Sequence, residues 1–168
     1  MKNNTARLTL LGLGVAVAMI LSYVEFLLPP IFSSVPGIKL GLPNIIIIYL
    51  LYKLGARSAA AVSLVRVVLS ALLFGTVLTM LYSLSGAILS IAVMTLIRRT
   101  GLFSTVGVSI VGAVFHNLGQ ILTAIIILGT REIGYYMIVL ALTGTLAGIF
   151  VGILSALMLK YVRIGTMR

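Results

Sequence analysis

The chain reads as an all-α, polytopic membrane bundle of six transmembrane helices with both termini in the cytoplasm. Three observations carry that reading. Hydrophobic residues make up 61% of the 168 and charged residues 8%, with a mean hydropathy of +1.29. A soluble domain carries roughly 25% charged residues, so this chain cannot clothe a water-facing surface. Apolar stretches recur at lengths near the about 20 residues that a bilayer crossing needs. The basic residues gather in alternate connections, the usual signature of cytoplasmic loops.

Helix 1 runs from Leu8 to Leu28, with Glu25 near its end. The stretch before and through it has the outline of a signal peptide. Its apolar run, however, exceeds the roughly 7 to 15 residues of an h-region and no cleavage site follows, so it is read as a retained helix. "PPIFSSVPG" (29–37) breaks the helix with three prolines and a glycine and is a loop. Leu40 to Tyr52 is the second candidate. Its 13 charge-free residues make about 20 Å of helix, short for a hydrocarbon core of about 30 Å. It must be extended by its flanks or interrupted, and the count of spans falls to five if it does not cross.

Ser58 to Ile97 holds one charge, Arg66, in 40 residues, about 60 Å of helix and enough for two crossings. "FGT" (74–76) is the turn between them. Gly101 to Leu128 supplies the fifth helix and Tyr135 to Leu159 the sixth. With the N-terminus inside, nine basic residues face the cytoplasm: Lys2, Arg7, Lys53, Arg57, Arg98, Arg99, Lys160, Arg163 and Arg168. Lys39 and Arg131 fall outside, and Arg66 lies within a span. The whole chain, 1–168, reads as one transmembrane domain without linkers or long repeats.

Composition also excludes chemistry. There are no cysteines, so disulfides and thiolate metal sites are ruled out. One histidine and two acidic residues are too few for an ordinary structural metal site. The net charge of +10 is a topology signal rather than a nucleic-acid footprint. No paired carboxylate, aspartate-rich diphosphate motif, Walker A sequence or nucleophile with its base is present, so neither a catalytic set nor a cofactor is expected.

Against that background "AVFHNLGQ" (113–120) stands out. It lies in 31 residues without a charge and contains the only histidine, followed by Asn117 and Gln120. At about 100° per residue, Ser109, Gly112, Gln120 and Thr123 all fall within about 40° of His116, with Asn117 at the edge. Helix 3 repeats the pattern, with Ser63 and Ser70 flanking Arg66, and helix 1 places Ser22 and Ala18 on the face of Glu25. An arginine near mid-span costs at least about 2.5 kcal/mol on insertion scales, so it should face the interior and meet a partner. A buried ion pair or interhelical hydrogen bond would satisfy that requirement. The set of Arg66, His116, Asn117, Gln120, Lys39, Asn44 and Glu25 favours a ligand site instead, because a purely structural bundle has no need of such groups. Its surplus is positive, which suits a phosphate, carboxylate or enolate, and a helix start at Pro43 would add a favourable dipole.

Small residues form two kinds of face. Gly144, Gly148, Gly152 and Ala156 recur every four residues on helix 6 and read as internal packing, since close backbone approach drives helix association in lipid. Helix 1 carries two registers, Gly12 with Ala16 and Gly14 with Ala18. One is expected to face the bundle and the other a partner.

Three phrases, "PGIKLGLPNI" (36–45), "SLVRVVLSALLFG" (63–75) and "GAVFHNLGQ" (112–120), together resemble the heptaprenyl diphosphate synthase component I family, also called the Gx transporter family. The resemblance runs from helix 1 to helix 6. That family in turn resembles the substrate-binding S components of energy-coupling factor (ECF) transporters. The resemblance implies six helices with cytoplasmic termini, capture of a vitamin or precursor from outside, and partnership with a transmembrane T component and two cytoplasmic ATPases. A small-residue motif on helix 1 commonly docks the T component; here it would be Gly12/Ala16 or Gly14/Ala18. The family's name implies instead a role in making the polyprenyl tail of menaquinone, yet the clustered aspartates of soluble prenyl synthases are missing. The leading expectation is therefore an uptake component for a small anionic or amphipathic precursor, isoprenoid or quinone-related, in a bacterial plasma membrane. The alternatives are a non-catalytic membrane subunit of the synthase and a small channel or ion-coupled carrier.

Overall fold

The computed structural model describes residues 2–28 and 40–162 of the chain. Within them lie six α-helices: α1 (Lys2–Leu27), α2 (Asn44–Leu54), α3 (Ala56–Phe74), α4 (Val77–Thr100), α5 (Thr105–Leu128) and α6 (Tyr136–Tyr161), with a short 3-10 turn (Arg131–Tyr135) before the last. The expected loop over 29–37, Lys39, and the terminal Arg163 and Arg168 lie outside the described residues.

Five of the helices are long and apolar enough to cross a membrane; α2 is not. Its 11 residues span about 16 Å, half of a hydrocarbon core. The short apolar run is thus a half-span, and its position explains its composition. Ile46 through Leu51 are all buried. A helix that is apolar all round belongs in an interior, and α2 packs between α3 and α6, whereas the sequential neighbours α3, α4, α5 and α6 pack pairwise around it. α1 lies against α2 and α3. Pro43, with φ −59°, leads into α2, consistent with the fixed φ that makes proline a good helix opener. Gly55, at φ +88°, allows the abrupt turn into α3, a conformation that glycine adopts without steric cost.

One end of the bundle is pinned by basic and tyrosine side chains. Arg7 of α1 donates to Ser58 Oγ at the start of α3 at 2.9 Å. Arg98, at the end of α4, donates to the carbonyls of Leu51 and Tyr52 and stacks 4.8 Å above the Tyr52 ring. It thereby satisfies carbonyls that the last turn of α2 leaves without helical partners. Tyr49 donates its hydroxyl to the Val162 carbonyl just past α6 at 3.0 Å. The ends of α1, α2, α3, α4 and α6 that carry most of the positive charge therefore meet at one face, which the positive-inside rule assigns to the cytoplasm.

The "FGT" segment does turn the chain. α3 ends at Phe74, and Thr76 caps α4 in a reciprocal box with Thr79, an arrangement that satisfies orphan N–H groups at a helix start.

Glycines set the spacing of the long helices. A Cβ at Gly148 would lie 2.7 Å from Ile110 Cα, and one at Gly152 would lie 2.7 Å from Val106 Cα. The four-residue ladder of α6 is therefore the seam with α5. Gly86 and Gly119 do the same for α4 and α5: a Cβ on Gly119 would stand 2.9 Å from Gly86 Cα. Close backbone contact of this kind is how helices associate without a hydrophobic driving force.

The two registers of α1 are also resolved. Gly14 and Ala18 are buried, and a Cβ on Gly14 would meet Leu50 Cδ1 at 3.1 Å. Gly12 and Ala16 are exposed, and nothing among the described residues lies within 4 Å of a Cβ placed on Gly12. Gly14 and Ala18, candidates for partner docking from the sequence, face inward instead: both are buried, and Leu50 of α2 and Val62 of α3 occupy the space before Gly14.

Candidate functional site

Because α2 covers only the half of the bundle that carries the basic ends, the other half is left with space at its centre. That space is a cavity of about 240 Å³. Its wall takes residues from every helix. Asn44 and Ile48, on the first turns of α2, form part of it, and Met94 and Val151 close it from α4 and α6. Phe26, Phe74 and Met80 lie toward the opposite end, where α1 and α3 finish and α4 begins. Phe74 packs against Phe26 at 5.2 Å and Tyr23 at 5.9 Å between ring centroids, forming an aromatic rim.

Six of the seven residues expected from the sequence line this one cavity: Glu25 from α1, Asn44 from α2, Arg66 from α3, and His116, Asn117 and Gln120 from α5. The seventh, Lys39, lies outside the described residues. The helical arithmetic accounts for most of this, since Ser109, Gly112 and Ala113 line the cavity on the same face of α5. Thr123 does not line it; its hydroxyl donates back to the Gly119 carbonyl at 3.0 Å.

Their local roles differ. Glu25 accepts the backbone N–H of Gly41 at 2.5 Å and acts electrostatically on Arg66. Gly41 begins the turn that leads into α2: Asn44 N–H bonds the Gly41 carbonyl and Ile45 N–H bonds the Leu42 carbonyl. The favourable pole of that helix is thus already engaged by the protein's own carboxylate and turn carbonyls. Asn117 donates its side-chain amide to the Leu140 carbonyl of α6 at 2.7 Å, tying α5 to α6 beside Gly144. His116 packs over Gly86, whose absent side chain leaves room for the ring and backbone of α5.

Arg66 is different. Its Nε is buried and has no hydrogen-bond partner among the described residues. Ser70, one turn on, donates to Met19 Sδ at 3.3 Å and helps seat α3 against α1. Attraction from Glu25 offsets part of the cost of placing a guanidinium at this depth, but the Nε–H remains unmatched, and a buried unsatisfied donor costs about 1–3 kcal/mol or more when charged.

Sequence reasoning missed α4. Ser83 and Ser90 line the cavity and lie seven residues apart, about 20° apart around the helix. The signal was present in "SLSGAILS" (83–90), but serine is common in membrane helices and this stripe carries no charge to draw notice. Among the described residues no three of His, Cys, Asp and Glu come together in a way that would hold a metal ion. Among the described residues, the cavity wall offers hydrogen-bond donors, one cation and one anion.

Fold and cavity together define a multi-pass helical membrane protein with a polar chamber in one half of its span. The chain belongs to the heptaprenyl diphosphate synthase component I family, which matches residues 15–158. No curated protein and no solved structure matches it.

Proposed function

We propose that this protein is the substrate-binding membrane component of an ECF-type uptake system in a bacterial plasma membrane. It captures a small anionic or amphipathic precursor, isoprenoid or quinone-related, and works with a transmembrane T component and two cytoplasmic ATPases. The observation that carries this reading is the one-sided cavity with Arg66 on its wall. Six consecutive buried residues of α2 fill the half beneath it, so the arrangement suits capture rather than free conduction and argues against a simple channel. Release toward the cytoplasm then needs a partner to reposition the bundle. The exposed Gly12/Ala16 stripe on α1 is the face left for that partner.

A second reading comes from the family description, which names a component I and so implies a component II of a synthase. In that case catalysis resides in the partner. Gentle purification with copurifying proteins identified by mass spectrometry separates the two. Recovery of ATPases with a membrane T component supports uptake. Recovery of a soluble prenyl synthase without them overturns it. Small molecules released from the native protein, compared with those from Arg66→Gln, test the cavity as the capture site.

A further inference from the structure

We propose that the cavity takes a small organic anion of about ten non-hydrogen atoms, its charged group against Arg66 and a hydrogen-bonding group against Ser90 and Ser109, and not a long prenyl chain. This deepens, and rests on, the capture reading above.

The charge comes first. A guanidinium carries five N–H donors, and the Nε–H of Arg66 is buried without a partner among the described residues. The chain has two acidic residues, and Glu25 alone lines the cavity. Its carboxylate already accepts the Gly41 N–H. The donor supply at Arg66 therefore exceeds what Glu25 can accept. A planar carboxylate or a phosphate matches the surplus with charge-assisted hydrogen bonds, the strong class of such bonds.

The second anchor lies deeper. A serine in a helix commonly bonds the carbonyl four residues back, and here Ser22 does so with Ala18 and Ser155 with Val151, each at 2.8 Å. Ser90 and Ser109 are as buried as these, at 5% and 2% exposure. Both residues line the cavity, and neither oxygen is sealed off without a partner. Gly112 brings them into one neighbourhood: a Cβ there would sit 3.3 Å from Ser90 Oγ, one turn from Ser109 on the same face of α5. Each hydroxyl is both a donor and an acceptor, so a ligand hydroxyl, carbonyl or second anionic oxygen can bond there.

Size prevents the cavity from enclosing the long chain. A cavity of about 150 Å³ accommodates benzene, so about 240 Å³ accommodates roughly ten non-hydrogen atoms by the same scaling. A tail of seven isoprene units exceeds that several-fold. The floor at Ile48, Met94 and Val151 allows no extension into the filled half.

The absence of cysteine permits a test that needs no knowledge of the ligand. Ser109→Cys is introduced alone and with Arg66→Gln, and Leu102→Cys, at a site 83% exposed, serves as reference. Each is labelled in detergent with a small sulfonate-bearing thiosulfonate, with its trimethylammonium counterpart, and with a bulky disulfonated maleimide. Rates are divided by those at Leu102→Cys. The expected result is an anionic-to-cationic preference of about tenfold or more at Ser109→Cys, within the range that charged clefts produce, and its loss in the double variant. Exclusion of the bulky reagent is also expected. Equal normalised rates for the two charges, or a preference unaffected by Arg66→Gln, overturn the anion assignment while leaving the capture reading standing. Entry of the bulky reagent overturns the size limit. Failure of every reagent to reach Ser109→Cys shows a closed interior and overturns both readings together. Thermal unfolding of each variant establishes that it is folded; should Arg66→Gln unfold, Arg66→Lys with its single compact charge replaces it, with a reduced preference expected.

Discussion

The Glu25 carboxylate on α1 accepts the backbone N–H of Gly41, 16 residues away, at 2.5 Å. This bond joins the end of α1 to the turn that opens α2. It places the one acidic side chain of the cavity where the dipole of α2 favours it, and within electrostatic reach of Arg66. A single carboxylate thus holds the half-span helix and balances the buried cation.

Glu25→Ala removes the acceptor and the charge. It should destabilise the protein by about 1–3 kcal/mol, as expected for leaving partly buried donors unmatched. Glu25→Gln keeps an acceptor for Gly41 and should recover a part of the loss. Thermal unfolding in detergent checks the order. Equal stability of the alanine variant and the native chain would show that the bond contributes nothing.

Gly148→Leu forces a side chain into the backbone of Ile110. Overpacking usually costs about 1–3 kcal/mol, and backbone contact leaves little room to adapt, so the variant should unfold early or fail to express. Gly14→Leu should behave similarly against Leu50. Gly12→Leu meets only open space and should leave stability unchanged. If the outward stripe docks a T component, Gly12→Leu should abolish its copurification; retained assembly and uptake would remove that face from the proposal.

Asn117→Ala breaks the link to the Leu140 carbonyl. A loss of about 1–2 kcal/mol is expected, read as a lowered midpoint in a thermal scan. Asn117→Asp supplies no amide donor and adds a charge at depth, so it should be worse than alanine. The reverse order would contradict the interhelical role.

Arg98→Lys retains the charge but loses the forked donor geometry that reaches both Leu51 and Tyr52 carbonyls. Lysine is a point charge without that fork. The variant should loosen the end of α2, seen as faster amide exchange at Gly55, whose N–H bonds the Leu50 carbonyl, and in the flanking turn. Unchanged exchange would show that the α2 cap is held by other groups.

Orientation has its own test. A cysteine replacing Thr130 should react with an impermeant reagent applied outside intact cells, and one replacing Arg99 should not. Labelling at 99 from outside would invert the assignment.

The sequence alone determined the membrane class, because 8% charge cannot solvate a surface. It placed the boundaries of the long helices to within six residues, since prolines, glycines and charge pairs interrupt the apolar runs. It assigned the orientation through loop charge, and it placed His116, Gln120, Ser109 and Gly112 on one face through helical period alone. The tertiary structure decided what pairs with what. Gly14/Ala18 and Gly12/Ala16 are equivalent as patterns, and lipid is as apolar as a bundle core, so only the presence of Leu50 and Val62 distinguishes the inner stripe. Leu40 to Tyr52 was ambiguous between a crossing and an interrupted helix, because hydropathy does not report whether an apolar helix is surrounded by lipid or by protein; α3 and α6 settled it as a half-span. Asn117 and Glu25 found backbone partners 23 and 16 residues away. The quiet serines of α4 joined the charged cavity for the same reason: a hydroxyl becomes informative only when its depth and its neighbours are known, and those are properties of packing.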